Sequence, residues 1–174
     1  MALHCSFRAG GLAQDFFTPD DLSTLSDFLQ NNQLPVLLLG LGSNLLVRDQ
    51  GFDGVVIKLS QLKNIELKDE TILVEAGTTL AKLARFCDAN NLYGLEFLSA
   101  IPGTVGGALA MNAGAFGSEF WQYVSAVTTI DSAGALHKRT PSDFEIGYRQ
   151  VKAKQQEEYF VSATLKPNTN SKKQ

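Results

Sequence analysis

Two stretches of this sequence concentrate the residues whose types and spacing could do chemistry. The first is LGLGSNLLV, Leu39 to Val47. Gly40 and Gly42 permit dihedrals that let successive backbone N–H groups point into one concavity, a geometry that suits phosphate. Ser43 and Asn44 add short polar side chains. Gly40-x-Gly42 begins like a dinucleotide fingerprint, but Leu45 stands where the third glycine belongs, a strand is expected next and no acid follows about twenty residues on, so a Rossmann site is a poor reading. There is no GK[ST] either. A tight turn between two strands accounts for the same residues. The second stretch is IPGTVGGALAMNAGAFG, Ile101 to Gly117, with five glycines, four alanines and no charge. Glycine costs about 1 kcal/mol in a helix relative to alanine. Gly103, Gly106 and Gly107 therefore need a return, either a ligand approaching the backbone at a helix start or close packing on a neighbouring strand. Asn112, Gly114 and Gly117 continue the pattern. Together the loops suit a long phosphate-containing ligand of dinucleotide or flavin size.

Other chemistries are poorly supported. His4 and His137 lack ligand-spaced partners, so no metal site is expected. Cys5 and Cys87 form no CxxC pair, and Cys87 reads as a buried thiol on a helix face. Net charge is −3 without a basic cluster, which argues against nucleic acid. The longest apolar run, Leu34 to Leu41, is too short to cross a membrane, and the N-terminus lacks a signal-like run. A cytoplasmic protein is expected. Glu96 reads as a structural acceptor of backbone N–H groups. Arg149 taken alone reads as a solvated loop charge.

The elements that must position the loops follow from local signals. Thr18-Pro19-Asp20-Asp21 reads as a helix start ahead of Leu22, Leu25, Phe28 and Leu29. PVLLLG, LLVRD and GVVIKL read as strands. IELKD and TILVEAG form a hairpin, Thr78 caps a helix through Cys87, and Val124–Ile130 pairs with 135–140 across a turn at 131–134. Thr140 to Asp143 makes one helical turn, and EYFVSATLK is the last strand. The mixture predicts an α+β fold and argues against a doubly wound parallel sheet. The expected division is a first lobe over 1–61, a second over 62–167 with the glycine-rich loop, and a disordered tail over 168–174.

LGLGSNLLVRDQGFDGVVIKL, AGTTLAKLARFCDANNLYGLEFLSAIPGTVGGALAMNAGAFGSE, the Tyr148-Arg149 pair and SFRAGGLA near the N-terminus resemble the UDP-N-acetylenolpyruvoylglucosamine reductases. The resemblance runs from about Phe7 to Leu165. It implies a two-lobed FAD-binding fold of the vanillyl-alcohol oxidase type and an oxidoreductase of peptidoglycan synthesis. In that family NADPH reduces the flavin, which passes hydride to the enolpyruvyl carbon of UDP-N-acetylglucosamine enolpyruvate, giving UDP-N-acetylmuramate. By the same resemblance Gly40, Gly42, Ser43, Asn44 and Leu45 form one FAD contact. Pro102, Gly103, Thr104, Gly106, Gly107, Asn112, Gly114 and Gly117 form the other. Tyr148 and Arg149 match the pair in which the arginine holds the substrate carboxylate, a task suited to its planar donor fork. The family adds a further substrate-binding domain, with a proton-donating serine in a GS-x-FKNP motif and an assisting glutamate. These 174 residues hold no such motif. The expectation is a chain that binds FAD and turns over little alone, or a non-catalytic flavin-binding or scaffold module. A homodimer or partner protein would then cover the open flavin face.

Overall fold

The computed structural model describes residues 1–169. The first lobe is a βαβ unit with a third strand inserted. Strand β1 (Ala13–Phe17) leads into α1 (Leu22–Asn31), then β2 (Val36–Leu39) and β3 (Phe52–Lys58), all parallel in the order β1-β3-β2. Helix α1 starts later than the sequence signal suggests. Asp21, not Thr18, is its cap: the Asp21 carboxylate accepts from both the backbone N–H and the hydroxyl of Thr24 at 2.8 Å. A charged acceptor taking two bonds outcompetes a hydroxyl three residues earlier. Strand β1 was not legible, and LLVRD is not a strand. Its backbone is instead engaged by the N-terminal segment: Gly11 N–H donates to Arg48 O at 3.0 Å, and Gly10 lies against Val47.

The second lobe is built on an antiparallel sheet. Strands β4 (Ile65–Lys68) and β5 (Thr71–Glu75) form the expected hairpin, turning at Asp69 with φ 53°. Helix α2 (Leu80–Ala89) and helix α3 (Val105–Met111) follow, then a miniature hairpin of β6 (Gly114–Ala115) and β7 (Ser118–Glu119). Strands β8 (Val124–Ile130) and β9 (Leu136–Arg139) pair as expected. Strands β10 (Phe144–Gly147) and β11 (Gln150–Ala153) make an unforeseen hairpin, and β12 (Tyr159–Leu165) enters the centre of the sheet, whose order is β4-β5-β12-β8-β9. Thr79 caps α2, accepting from Lys82 N–H, whereas Thr78, the expected cap, is fully buried one residue too early.

Alternation puts Ile72 and Val74 of β5, Leu80, Leu83 and Cys87 of α2 and Leu109 of α3 into one core with Phe120 and Leu165. Burial, aided by the Glu96 carboxylate, pushes the Cys87 thiol up to about 11. A second core joins the lobes: Leu25 and Leu29 of α1 and Val55 and Ile57 of β3 pack with Ile130 and Val161. Each such side chain contributes about 1.5–3 kcal/mol of burial, so the relative position of the two lobes is held by apolar contact. Asn168 exchanges backbone bonds with Tyr93 at 2.8 and 2.9 Å, so the ordered chain reaches into the expected tail. Residues 170–174 lie outside the described residues. Among the described residues no helix is long and apolar enough to cross a membrane.

Candidate cofactor site between the two glycine loops

The turn after β2 and the segment leading into α3 face each other across a cleft of about 960 Å³. Gly40, Gly42, Ser43, Asn44 and Leu45 line one wall. Pro102, Gly103, Thr104, Gly107, Asn112, Gly114 and Gly117 line the other, with Tyr148 and Arg149 beside them. Leu38, Leu39, Gly40, Thr104, Gly107 and Ala110 also border an adjoining chamber of about 530 Å³ that extends along β11 and the start of β12. The loops are tied directly. Ser43 Oγ donates to Pro102 O at 2.8 Å. Gly40 packs so tightly on Thr104 that a Cβ would lie 2.4 Å from Thr104 Oγ1.

Backbone donors decide what the cleft can hold. Among the described residues, the N–H groups of Leu41 to Leu45 have no protein acceptor, and neither do those of Gly103 and Thr104. Gly42, with φ +72°, supplies the turn in the first run. The start of α3 is spent differently from expectation. Val105 N–H donates to Thr78 O at 2.9 Å and Gly106 N–H to Ala76 O at 2.8 Å, so these donors anchor the helix to the second lobe. The lining offers one guanidinium, Arg149, on this side, and otherwise uncharged donors suited to a phosphate group.

The glycines sort by what surrounds them. A Cβ on Gly106 would come within 3.1 Å of Ala76 Cβ, and one on Gly114 within 2.8 Å of Ser118 O. Gly106 therefore packs on the core side of α3 and, unlike the other candidates, lies outside the main cleft, although it borders the smaller chamber. Gly103 and Gly107 differ: nothing lies closer than 3.7 Å to a Cβ on either. The protein does not require glycine there, so the room they leave belongs to whatever enters the cleft. This fits a ligand whose phosphates approach the backbone.

Asn112 is the C-cap of α3, with φ 42°, and is nearly fully buried. Asparagine tolerates this left-handed position. Its side chain is committed within the protein: Nδ2 donates to Glu119 Oε2 at 2.9 Å and to Gly147 O at 3.4 Å, while Oδ1 accepts from Trp121 N–H at 3.3 Å. Tyr148 and Arg149 form the two-residue turn between β10 and β11. Both are exposed, Arg149 has φ 53°, and its guanidinium carbon sits 5.6 Å from the Tyr148 ring centre. The base of this hairpin is anchored by Phe144 against Trp121 and Phe160, at 5.1 and 5.3 Å between ring centres.

Glu119 and Glu158 were not singled out in sequence. Glu158 borders the smaller chamber. Its carboxylate takes a two-pronged bond from Arg139, 3.1 Å at Nε, and another from the Thr129 hydroxyl. The arginine, with Thr129, holds its pKa down to about 2. No local motif announces this pair, because its members lie 19 residues apart, Arg139 at the end of β9 and Glu158 just before β12. Glu96 accepts from Gly94 N–H at 2.8 Å, the structural role expected of it.

A family model described as FAD binding domain matches residues 17–139. The chain is 54% identical over 159 residues to the UDP-N-acetylenolpyruvoylglucosamine reductase of Nitrosomonas eutropha, covering 87% of this chain and 48% of that protein. To the reductase of the same name from Nitrosococcus oceani it is 49% identical over 171 residues, covering 95% and 57%. A crystal structure of UDP-N-acetylenolpyruvylglucosamine reductase (MurB) from Thermus caldophilus superposes with a TM-score of 0.83 at 31% identity, over 96% of this chain and 60% of that one. The chain spans about half the length of the curated relatives it matches. The glycine-lined cleft and the family match agree, and the chain belongs to the FAD binding domain family.

Proposed function

We propose that this chain provides the flavin site of a cytoplasmic, NADPH-dependent reductase of the kind its relatives are named for, and that alone it turns over little. One observation carries the reading. N–H groups without a protein acceptor belong to Leu41–Leu45, Gly103 and Thr104, all of which line one cleft, beside glycines that the protein leaves uncrowded. The first run would cradle the pyrophosphate of FAD, while Gly103 and Gly107 would let its backbone pass close. FAD, when bound, supplies hydride-transfer chemistry. Arg149 would hold the carboxylate of an enolpyruvyl sugar nucleotide, because its exposed fork at the turn is free to pair bidentately. The low turnover follows from the absence in these 174 residues of a proton donor of the GS-x-FKNP kind, since general acid catalysis contributes about 10²–10⁴-fold.

A second reading, an interaction module that keeps the flavin fold for binding a second copy or another protein, is favoured by Leu41, Phe116 and Tyr148, large side chains left exposed on turns around the cleft. The deciding experiment is the visible spectrum of the purified protein, with identification of any released nucleotide and an NADPH oxidation assay. A flavin spectrum with FAD released supports the flavin site. Protein that is folded, colourless and unable to take up added FAD leaves the interaction reading in the lead. NADPH oxidation at full reductase rates, dependent on UDP-N-acetylglucosamine enolpyruvate, contradicts the proposed low turnover.

A further inference from the structure

The Tyr148–Arg149 turn has little to hold it. Both side chains are exposed, and no heavy atom lies within 4 Å of where a Cβ on Gly147 would stand. Its strands are fixed by the Phe144 contacts and by Val151 packed against the core, but among the described residues the polar link from the tip to the rest of the protein is the bond from Asn112 Nδ2 to Gly147 O. At 3.4 Å that bond is weak by itself. It depends on which way the Asn112 amide faces.

Glu119 and the Trp121 N–H set that direction together, and the Glu119 bond is the shorter. Glu119 Oε2 accepts from Asn112 Nδ2 at 2.9 Å, while Asn112 Oδ1 accepts from Trp121 N–H. Rotating the amide by half a turn would set its oxygen against the Glu119 carboxylate and the Gly147 carbonyl, and its NH₂ against the Trp121 N–H. Three attractive contacts would become three repulsive ones. Leaving buried polar groups unpaired in this way is costly. Glu119 also lines the cleft, on β7, so it links the glycine-rich segment to the hairpin opposite.

We propose that Glu119, acting through Asn112, is a positioning residue that holds the Tyr148–Arg149 turn against the cofactor cleft. Its catalytic meaning rests on the reading that Arg149 serves a substrate carboxylate. The positioning itself does not.

The competing view is that Glu119 merely helps shape the helical turn at Phe120–Tyr123, where its N–H donates to Gln122 Oε1. Backbone ¹⁵N relaxation on the whole chain without FAD separates the two. In the unaltered protein the order parameters of Tyr148 and Arg149 should be about 0.8, like the adjoining strands, since rigid backbone lies near 0.85 and mobile backbone falls below 0.6. Glu119→Ala should drop both below about 0.6. Glu119→Gln, whose amide oxygen can still accept from Asn112, should restore them. Gln122→Ala, which removes only the local bond, should leave them unchanged. Should the alanine variant fail to fold, Glu119→Asp, one methylene shorter, should produce the same loosening. A turn already mobile in the unaltered protein, a turn undisturbed in the folded alanine or aspartate variant, or a glutamine variant as loose as alanine would each overturn the proposal. Because no FAD is present, failure of the flavin reading leaves this result standing.

Discussion

Ser43 Oγ donates to Pro102 O at 2.8 Å, joining residues 59 apart in sequence and tying the two glycine loops across the mouth of the cleft. A neutral hydrogen bond of this kind contributes about 0.5–1.5 kcal/mol. If the tie preorganises the loops, its loss should appear in ligand binding more than in folding. Ser43→Ala should weaken FAD binding by about 2–10-fold, read by flavin fluorescence titration. The thermal midpoint should move little. Unchanged affinity with lowered stability would assign the bond to folding alone.

The glycines offer a sharper test, because neighbours in one helix are expected to behave differently. Gly107 is helical and a Cβ there would meet only an ordinary contact, 3.7 Å from Thr104 Oγ1, so Gly107→Ala should leave the apoprotein as stable or gain up to about 1 kcal/mol. It should nevertheless weaken FAD binding by about tenfold or more, a cost of about 1.4 kcal/mol. Gly106→Ala should lose that gain and be less stable than Gly107→Ala, since its Cβ would lie 3.1 Å from Ala76 Cβ and 3.3 Å from Ala76 O. Urea unfolding and FAD titration of the two variants check both statements. Equal affinity in Gly107→Ala would mean that the vacant room serves no ligand.

Glu158 gives a pH dependence. Its pKa falls from 4.5 unfolded to about 2 folded, chiefly through Arg139. A depressed acid contributes stability that is complete above its unfolded pKa and lost as pH falls through the folded one. The window is therefore about pH 4.5 down to 2, and the contribution is on the order of 1–3 kcal/mol. The side chain is covered by its partners but borders the smaller chamber, so the range is set below the full value of the shift to allow for solvent screening. Urea midpoints should fall between pH 5 and pH 2.5, and less so in Glu158→Gln. An identical drop in that variant would remove the pair from the acid sensitivity of the fold.

Arg149 occupies a left-handed position, which costs a non-glycine residue of order 1 kcal/mol. Arg149→Gly should therefore leave the melting temperature unchanged or slightly raised. The same variant should lose flavin-detected binding of an enolpyruvyl sugar nucleotide to the FAD-loaded protein. Binding that survives would mean the substrate carboxylate is held elsewhere.

The loops were legible because glycine type and spacing encode backbone geometry directly: Gly40, Gly42, Gly103 and Gly107 all reach one cleft. The buried faces were legible for a similar reason, since Leu80, Leu83 and Cys87 recur at helical spacing. What failed depended on partners distant in sequence. LLVRD has strand-like residues, but the N-terminal segment takes its backbone. Strand β1 and the β10–β11 hairpin are short and half exposed, so their alternation is faint. Thr18 and Thr78 are good capping types, yet Asp21 and Thr79 win because they stand where the helix geometry delivers an N–H to their oxygens. The role of Asn112 could not be read locally either. Its αL backbone suits asparagine, but its three side-chain partners come from two other parts of the chain, Glu119 and Trp121 from one and Gly147 from the other.

The most direct test of the central claim is isothermal titration of the apoprotein with FAD and, separately, with FMN, which lacks the pyrophosphate and adenosine. Two loops that share one dinucleotide should bind FAD one to one, and FMN at least a hundredfold more weakly. A folded protein that gives no heat with FAD, or that binds FMN equally well, would contradict the reading of the cleft.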